Sequence, residues 1–177
     1  MTTDQMMIAL HSSDLDVATV AAMPRFDDGR LASHPLGREP LVLAMSPQNP
    51  LAGLTNVPVA ALEGLDLVSF PQGSTAWEII VSILVAAGIS PRFRFETSDL
   101  SMARSLASAD LAVAILPQSV AQEPGQPIWV AHLEPEPTWS PSMAWLSGRK
   151  PAPALDAFLR FVVDHGDPTD ANTNGDN

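Results

Sequence analysis

Apolar positions along the chain switch repeatedly between the two-residue period of a half-buried strand and the three- to four-residue spacing of a helix face. The stretch TTDQMMIALHSSD, residues 2–14, reads as a short helix capped by Thr2 or Thr3, with Met6, Met7 and Leu10 on its buried side. A β-rich run at residues 15–21 leads to Met23-Pro24, and after a polar loop residues 39–45 form a second buried strand. From residue 65 the pattern is β-α-β-α-β. A strand over 65–70 enters the turn Pro71-Gln72-Gly73-Ser74-Thr75, and Trp77, Ile80, Val81, Leu84 and Val85 then share one helical face that stops at Gly88. Residues 92–96 alternate as a strand, Ser98 or Asp99 caps a helix carrying Leu100, Ala103, Leu106 and Ala107, and residues 111–116 are wholly apolar, as at the centre of a sheet. Pro117 opens another helical turn. Strands over 128–133 and 142–146 follow, and Leu155, Phe158, Leu159, Val162 and Val163 give a closing amphipathic helix.

Alternation of this kind predicts an α/β fold with a parallel or mixed sheet covered on both faces. Prolines cluster at residues 47–58 and 134–141, between β-containing segments, as two crossovers between a pair of lobes would. The expected division is residues 1–61 plus 135–165 in a first lobe and 62–134 in a second. Residues 166–177 hold almost no apolar side chain and are expected to be a disordered tail.

Composition narrows the function by exclusion. With 20 acidic against 9 basic residues the formal charge is −11, so phosphate backbones repel the chain unless a basic patch is concentrated somewhere. Arg92, Arg94 and the pair Arg149-Lys150 make no such patch and read as solvated surface. No apolar run approaches the roughly 20 residues of a membrane helix, and MTTDQMMIAL lacks the features of a secretory signal, so the expected compartment is the cytoplasm. There are no cysteines, hence no disulfide or thiolate chemistry. His11, His34, His132 and His165 lack metal-ligand spacing, and G-x-S-x-G, Walker and G-x-G-x-x-G signatures are missing. Neither an enzyme nor a cofactor or metal protein is indicated.

One segment has ligand-binding physics. At Gln72-Gly73-Ser74-Thr75 a strand ends, glycine permits close backbone approach, and two hydroxyls meet the positive end of a helix, where a carboxylate or phosphate is favoured. The same residues also read as a plain N-cap, and both readings stay open. Ser98-Asp99 is similarly placed, although Asp99 repels an anion.

The order of Leu15-Asp16-Val17-Ala18, Glu39-Pro40-Leu41-Val42-Leu43, Asn49-Pro50-Leu51-Ala52, Phe70-Pro71-Gln72-Gly73-Ser74, Ala87-Gly88-Ile89-Ser90-Pro91-Arg92 and Val113-Ala114-Ile115-Leu116-Pro117 resembles the effector-binding domain of LysR-type transcriptional regulators over nearly all of residues 3–165. The resemblance implies a periplasmic-binding-protein-like fold of type 2, two α/β lobes joined by two crossovers, with a small organic effector in the cleft. It implies a site lined by Gln72, Gly73, Ser74, Thr75, Ser98 and Pro117, faced by Met23 and Pro24. The family's winged helix-turn-helix and first β-α-β segment have no counterpart here, so the first lobe is expected to be N-terminally truncated and the chain not to bind nucleic acid directly. The small-molecule effector is the implied partner, with homo-oligomers or pairing with full-length relatives beside it. Glycines usual before the last apolar strand stand here as Asp110 and Ala112, which implies a left-handed turn at Asp110 and a narrower cleft at Ala112. A free-standing solute-binding protein of the same fold is the alternative, and would need export.

Overall fold

The computed structural model describes residues 3–21, 29–148 and 151–165. The chain divides into two compact units, Met1–Arg38 with Ser140–Asn177, and Glu39–Trp139. The expected boundaries at 61/62 and 134/135 therefore fall inside the second unit. The reason is strand pairing, since the segment around residues 39–58 is bound into the second unit's sheet. Met23, Pro24 and the expected tail 166–177 lie outside the described residues.

In the first unit, helix α1 (Thr3–Ser12) precedes three antiparallel strands in the order β1 (Val17–Ala21), β10 (Pro141–Leu146), β2 (Leu31–Pro35). Met7 and Leu10 bury against Ala18, Val20 and Ala144, so the sequence's inward face of α1 is the one that packs. The closing helix α5 (Pro153–His165) buries Leu159 alone, whereas Phe158 and Val163, expected inside, are 44% and 47% exposed, and Phe161 is 58% exposed. Strand β2 was hidden in what reads as polar loop, because LASHP carries neither alternation nor a β-branched run.

In the second unit a mixed sheet forms around β3 (Glu39–Met45), which pairs antiparallel with both β7 (Ala114–Pro117) and β8 (Trp129–Glu134). β4 (Asn56–Pro58) lies parallel to β8, and the two-residue β9 (Thr138–Trp139) pairs with the start of β3. β5 (Asp66–Ser69) runs parallel to β6 (Arg92–Glu96), and the Val68 N–H donates to the Val113 carbonyl at 2.9 Å, placing β5 beside β7. The order across the sheet is thus β6, β5, β7, β3, β8, β4. Helices α2 (Thr75–Ala86) and α3 (Leu100–Ser108) are the crossovers of the predicted β-α-β-α-β run. The wholly apolar run leading into β7 is central and buried from Ala112 to Pro117, with Ala112 part of the core.

Both crossover helices end in the same device. After α2 the Gly88 N–H bonds Val85 and the Ile89 N–H bonds Leu84, with Gly88 at φ +74°. After α3 the Asp110 N–H bonds Ala107 and the Leu111 N–H bonds Leu106, with Asp110 at φ +59°, the left-handed conformation its sequence position implied. Each pair of bonds satisfies helix carbonyls that would otherwise lack donors.

At the other end of β5, Asp66 accepts hydrogen bonds from Arg92 Nε at 2.6 Å and Arg94 Nη1 at 2.8 Å. Arg92 and Arg94, read as surface, are indeed exposed, but they clamp β6 to β5. The Arg94 hydrogen bond first, against partial desolvation and with help from Arg92, holds the Asp66 carboxyl below the usual carboxylate range. A depressed pKa means stabilisation that is present above the unfolded-state pKa and is lost as pH falls through the folded one. Asp66→Asn is therefore expected to lower the urea midpoint at neutral pH, and the gap from wild type to close in acid below the ordinary carboxylate pKa; a pH-independent gap would show the ion pairs to contribute nothing.

Candidate functional site

The parallel strands β5, β6 and β7 all deliver their carboxyl ends to one edge of the second unit's sheet, and each is followed by a helix start. Ligands of open α/β sheets collect at such an edge because loops and helix N-termini converge there while the strands hold them rigid. The sequence candidates Gln72, Gly73, Ser74, Thr75, Ser98 and Pro117 all belong to these three turns.

After β5, Gly73 takes φ +82°, a conformation open to glycine at no steric cost, and the Ser74 N–H closes the turn on the Pro71 carbonyl at 2.9 Å. Ser74 is the N-cap of α2, its Oγ accepting from the Trp77 N–H at 3.2 Å. The cap reading is thus realised. It consumes one acceptor site of the hydroxyl and leaves its proton available to a ligand. Gln72 is exposed and Thr75, the first helical residue, is 8% exposed.

After β6, Asp99 and not Ser98 caps α3, its Oδ1 accepting from the N–H groups of Ser101 at 2.8 Å and Met102 at 3.2 Å. Ser98 is exposed on the loop beside it. After β7, Pro117 is buried and opens the short helix α4 (Gln118–Ala121). Here the structure brings in a residue that the sequence did not single out: Glu39, at the start of β3, accepts from the Ser119 N–H at 2.8 Å and from its hydroxyl at 3.1 Å. The first turn of α2 carries Glu78, while the α4 start is occupied by the chain's own carboxylate. Residues 80 apart in sequence make this contact, so no local signal announces it.

Among the described residues no group of three His, Cys, Asp or Glu side chains is placed to hold a metal ion, and no helix is long and apolar enough to cross a membrane. His132 instead lies 3.1 Å from Glu136, and His11 bonds the Met7 carbonyl.

A family model described as the LysR substrate binding domain matches residues 1–167. The chain belongs to that family. The transcriptional dual regulator GltC of Bacillus subtilis (strain 168) is 26% identical over 158 residues, covering 88% of this chain and 52% of that protein. A probable hydrogen peroxide-inducible genes activator of Mycobacterium leprae (strain TN) is 30% identical over 120 residues, 67% of this chain and 38% of that one. The chain thus spans about half or less of the length of these curated relatives. Among solved structures, the regulatory domain of Synechocystis PCC6803 CcmR in complex with 2-PG has a TM-score of 0.82 at 18% identity, covering 95% of this chain and 81% of that one. The effector binding domain of QuiR in complex with shikimate has a TM-score of 0.80 at 21% identity, covering 94% and 78%. The LysR substrate-binding fold is the type 2 periplasmic-binding-protein-like fold, and domains of this family are effector-binding parts of transcription regulators, not enzymes.

Proposed function

We propose that this LysR-type effector-binding domain senses a small organic anion at the carboxyl edge of β5, β6 and β7, with the start of α2 as the anchor. The observation that carries this reading is the Gly73-Ser74-Thr75 turn, where a left-handed glycine, a capping hydroxyl and a helix N-terminus meet at a strand end. Gln72, Ser98 and Pro117 complete the rim. Support for an anion comes from QuiR, whose domain was solved with shikimate, a carboxylate, on the same fold. Glu39 on Ser119 favours a ligand whose charge is gathered at one end, because a second anionic group near α4 would meet that carboxylate. The domain works in the cytoplasm and self-associates or pairs with full-length regulators of the family.

The test is a thermal-shift screen of carboxylic metabolites followed by calorimetry on a hit. Loss of the cap in Ser74→Ala is expected to cost about 1 kcal/mol of stability. Loss of a charge-assisted hydrogen bond is expected to weaken binding about tenfold or more. Affinities of Ser74→Ala and Thr75→Ala that both stay within about twofold of wild type would reject the anchor and leave Ser74 as a cap only.

A further inference from the structure

In the second unit, helix α3 buries Ala103, Ala107 and, between them, Arg104, which is only 8% exposed. Arginine is rarely buried to this extent without a partner, and a guanidinium cannot shed its charge to escape desolvation. Among the described residues no carboxylate forms an ion pair with it. Its Nε donates to the Ala121 carbonyl at 3.3 Å, at the end of α4, where a carbonyl has no donor inside the helix. That bond accounts for one of the five N–H donors of the guanidinium. The four on Nη1 and Nη2 meet no acceptor among the described residues.

Over the guanidinium lies the loop that joins α4 to β8, residues 122–127, each of them exposed. A Cβ added at Gly125 would stand 2.7 Å from Nη1, 3.4 Å from Cζ and 3.7 Å from Nη2, so the guanidinium fills the space that any side chain there would need. Gly125 is not among the glycines with a left-handed φ. The position therefore uses the missing side chain and not the backbone freedom of glycine. His34 Nε2 is the sealed side-chain atom without a partner among the described residues, so the partnerless Nη groups of Arg104 keep contact with solvent.

We propose that Arg104 is an anion site, the Nη1/Nη2 edge of its guanidinium taking two oxygens of one small oxyanion, a carboxylate or a phosphate, beside Gly125. The chain has 20 acidic residues, yet none pairs with this cation; even Glu123, two residues before Gly125 on the same loop, makes no ion pair with it. With Nε committed to Ala121, the end-on pair of Nη groups is the fork that remains. Such a planar fork matches two oxygens of one group, whereas a spherical ion such as chloride meets the charge without the geometry. The guanidinium is fixed by its burial between α3 and the loop, so little side-chain freedom is lost when the anion binds. The site is separate from the start of α2 and does not rest on the effector reading.

The test follows the Arg104 Nε–H resonance of the wild-type chain by NMR during titration with inorganic phosphate and, separately, with acetate, at an ionic strength held constant with chloride. The expected result is a saturable shift, and whether phosphate, acetate or both produce it names the class of oxyanion. By calorimetry, Arg104→Met is expected to weaken that anion about tenfold or more. Gly125→Ala is expected to weaken it too, because the methyl group claims the place of the guanidinium, and to add nothing in an Arg104→Met background. Circular dichroism melts identify a variant that fails to fold, and the wild-type resonance decides the matter without the variants. A resonance that saturates with neither anion, or that responds equally to chloride, overturns the site and leaves the Nη groups to solvent. Affinity retained in a folded Arg104→Met also overturns it, and its loss in Ser74→Ala then places the ion at the start of α2. Binding that appears only in Glu123→Gln shows the loop's own carboxylate to be the occupant and overturns the external anion.

Discussion

Leu43→Ala is expected to cost the second unit about 3 kcal/mol, within the range of 2–5 kcal/mol found when a buried leucine is truncated and the cavity cannot collapse. Leu43 is fully buried at the centre of β3, opposite Ile115 on β7 and Ala131 on β8. Both neighbours are themselves locked in ladders, which limits relaxation around the lost methyl groups. The consequence reaches the site. β3 begins with Glu39, which holds Ser119, and pairs through Leu41 with Pro117 at the end of β7. Urea unfolding should show the fall in midpoint with an unchanged slope, while Val85→Ala, on a side chain 63% exposed, should stay within about 0.5 kcal/mol of wild type. A Leu43→Ala loss below about 1 kcal/mol would mean that the sheet repacks and that β3 is not the rigid support assumed here.

The sequence made the second unit legible because its period changes are sharp. Trp77 to Val85 at helical spacing, the alternation of Arg92–Glu96 and the unbroken apolar run before Pro117 each fit one backbone geometry, and each element is found where the period places it. What the pattern concealed depends on tertiary pairing. β4 contains only Asn56, Val57 and Pro58, with Val57 the sole buried side chain, and exists because β8 supplies its ladder. The prolines of residues 47–58 looked like a crossover for the same reason: proline marks a break in local structure and says nothing of which sheet the flanking strands join. The chain enters the second unit at 38/39 and leaves it at 139/140, where β3 and β9 pair through Glu39 with Trp139 and Pro40 with Thr138.

The site was legible to the extent that its chemistry is local. A glycine followed by two hydroxyls at a strand end is a helix start whatever surrounds it, and Ser74 is that cap. Ser98 and Asp99 were equivalent candidates until geometry chose Asp99, whose carboxylate reaches two N–H groups where a serine hydroxyl has one short reach. Glu39 was beyond reach because its meaning comes from a partner at the far end of another strand. Its place also bears on the proposed specificity, since it sets a carboxylate at the start of α4.

The turns that end α2 and α3 differ at one residue, and that difference predicts opposite effects of substitution. Gly88 at φ +74° has open space where a Cβ would stand, so replacing it meets a backbone penalty and no clash. Gly88→Val places a β-branched residue in the left-handed region and is expected to cost about 2 kcal/mol. Asp110 occupies the same position after α3 at φ +59°, exposed, with its negative charge at the end of the helix where the dipole is also negative. Asp110→Gly removes both the conformational strain and the repulsion, offset in part by the greater freedom of glycine in the unfolded chain, for an expected gain of about 1 kcal/mol. Asp110→Asn separates the two contributions, because it keeps a residue tolerant of the left-handed region and removes only the charge. If Asn recovers all of the gain, the dipole dominates; if it recovers none, the backbone does. The turn leads directly into Ala112 and β7, whose carboxyl end forms part of the proposed rim, so the glycine variant should leave effector affinity unchanged while raising the melting temperature. An Asp110→Gly chain that melts at or below wild type would refute the strain, since nothing else at this exposed position is lost with the carboxylate.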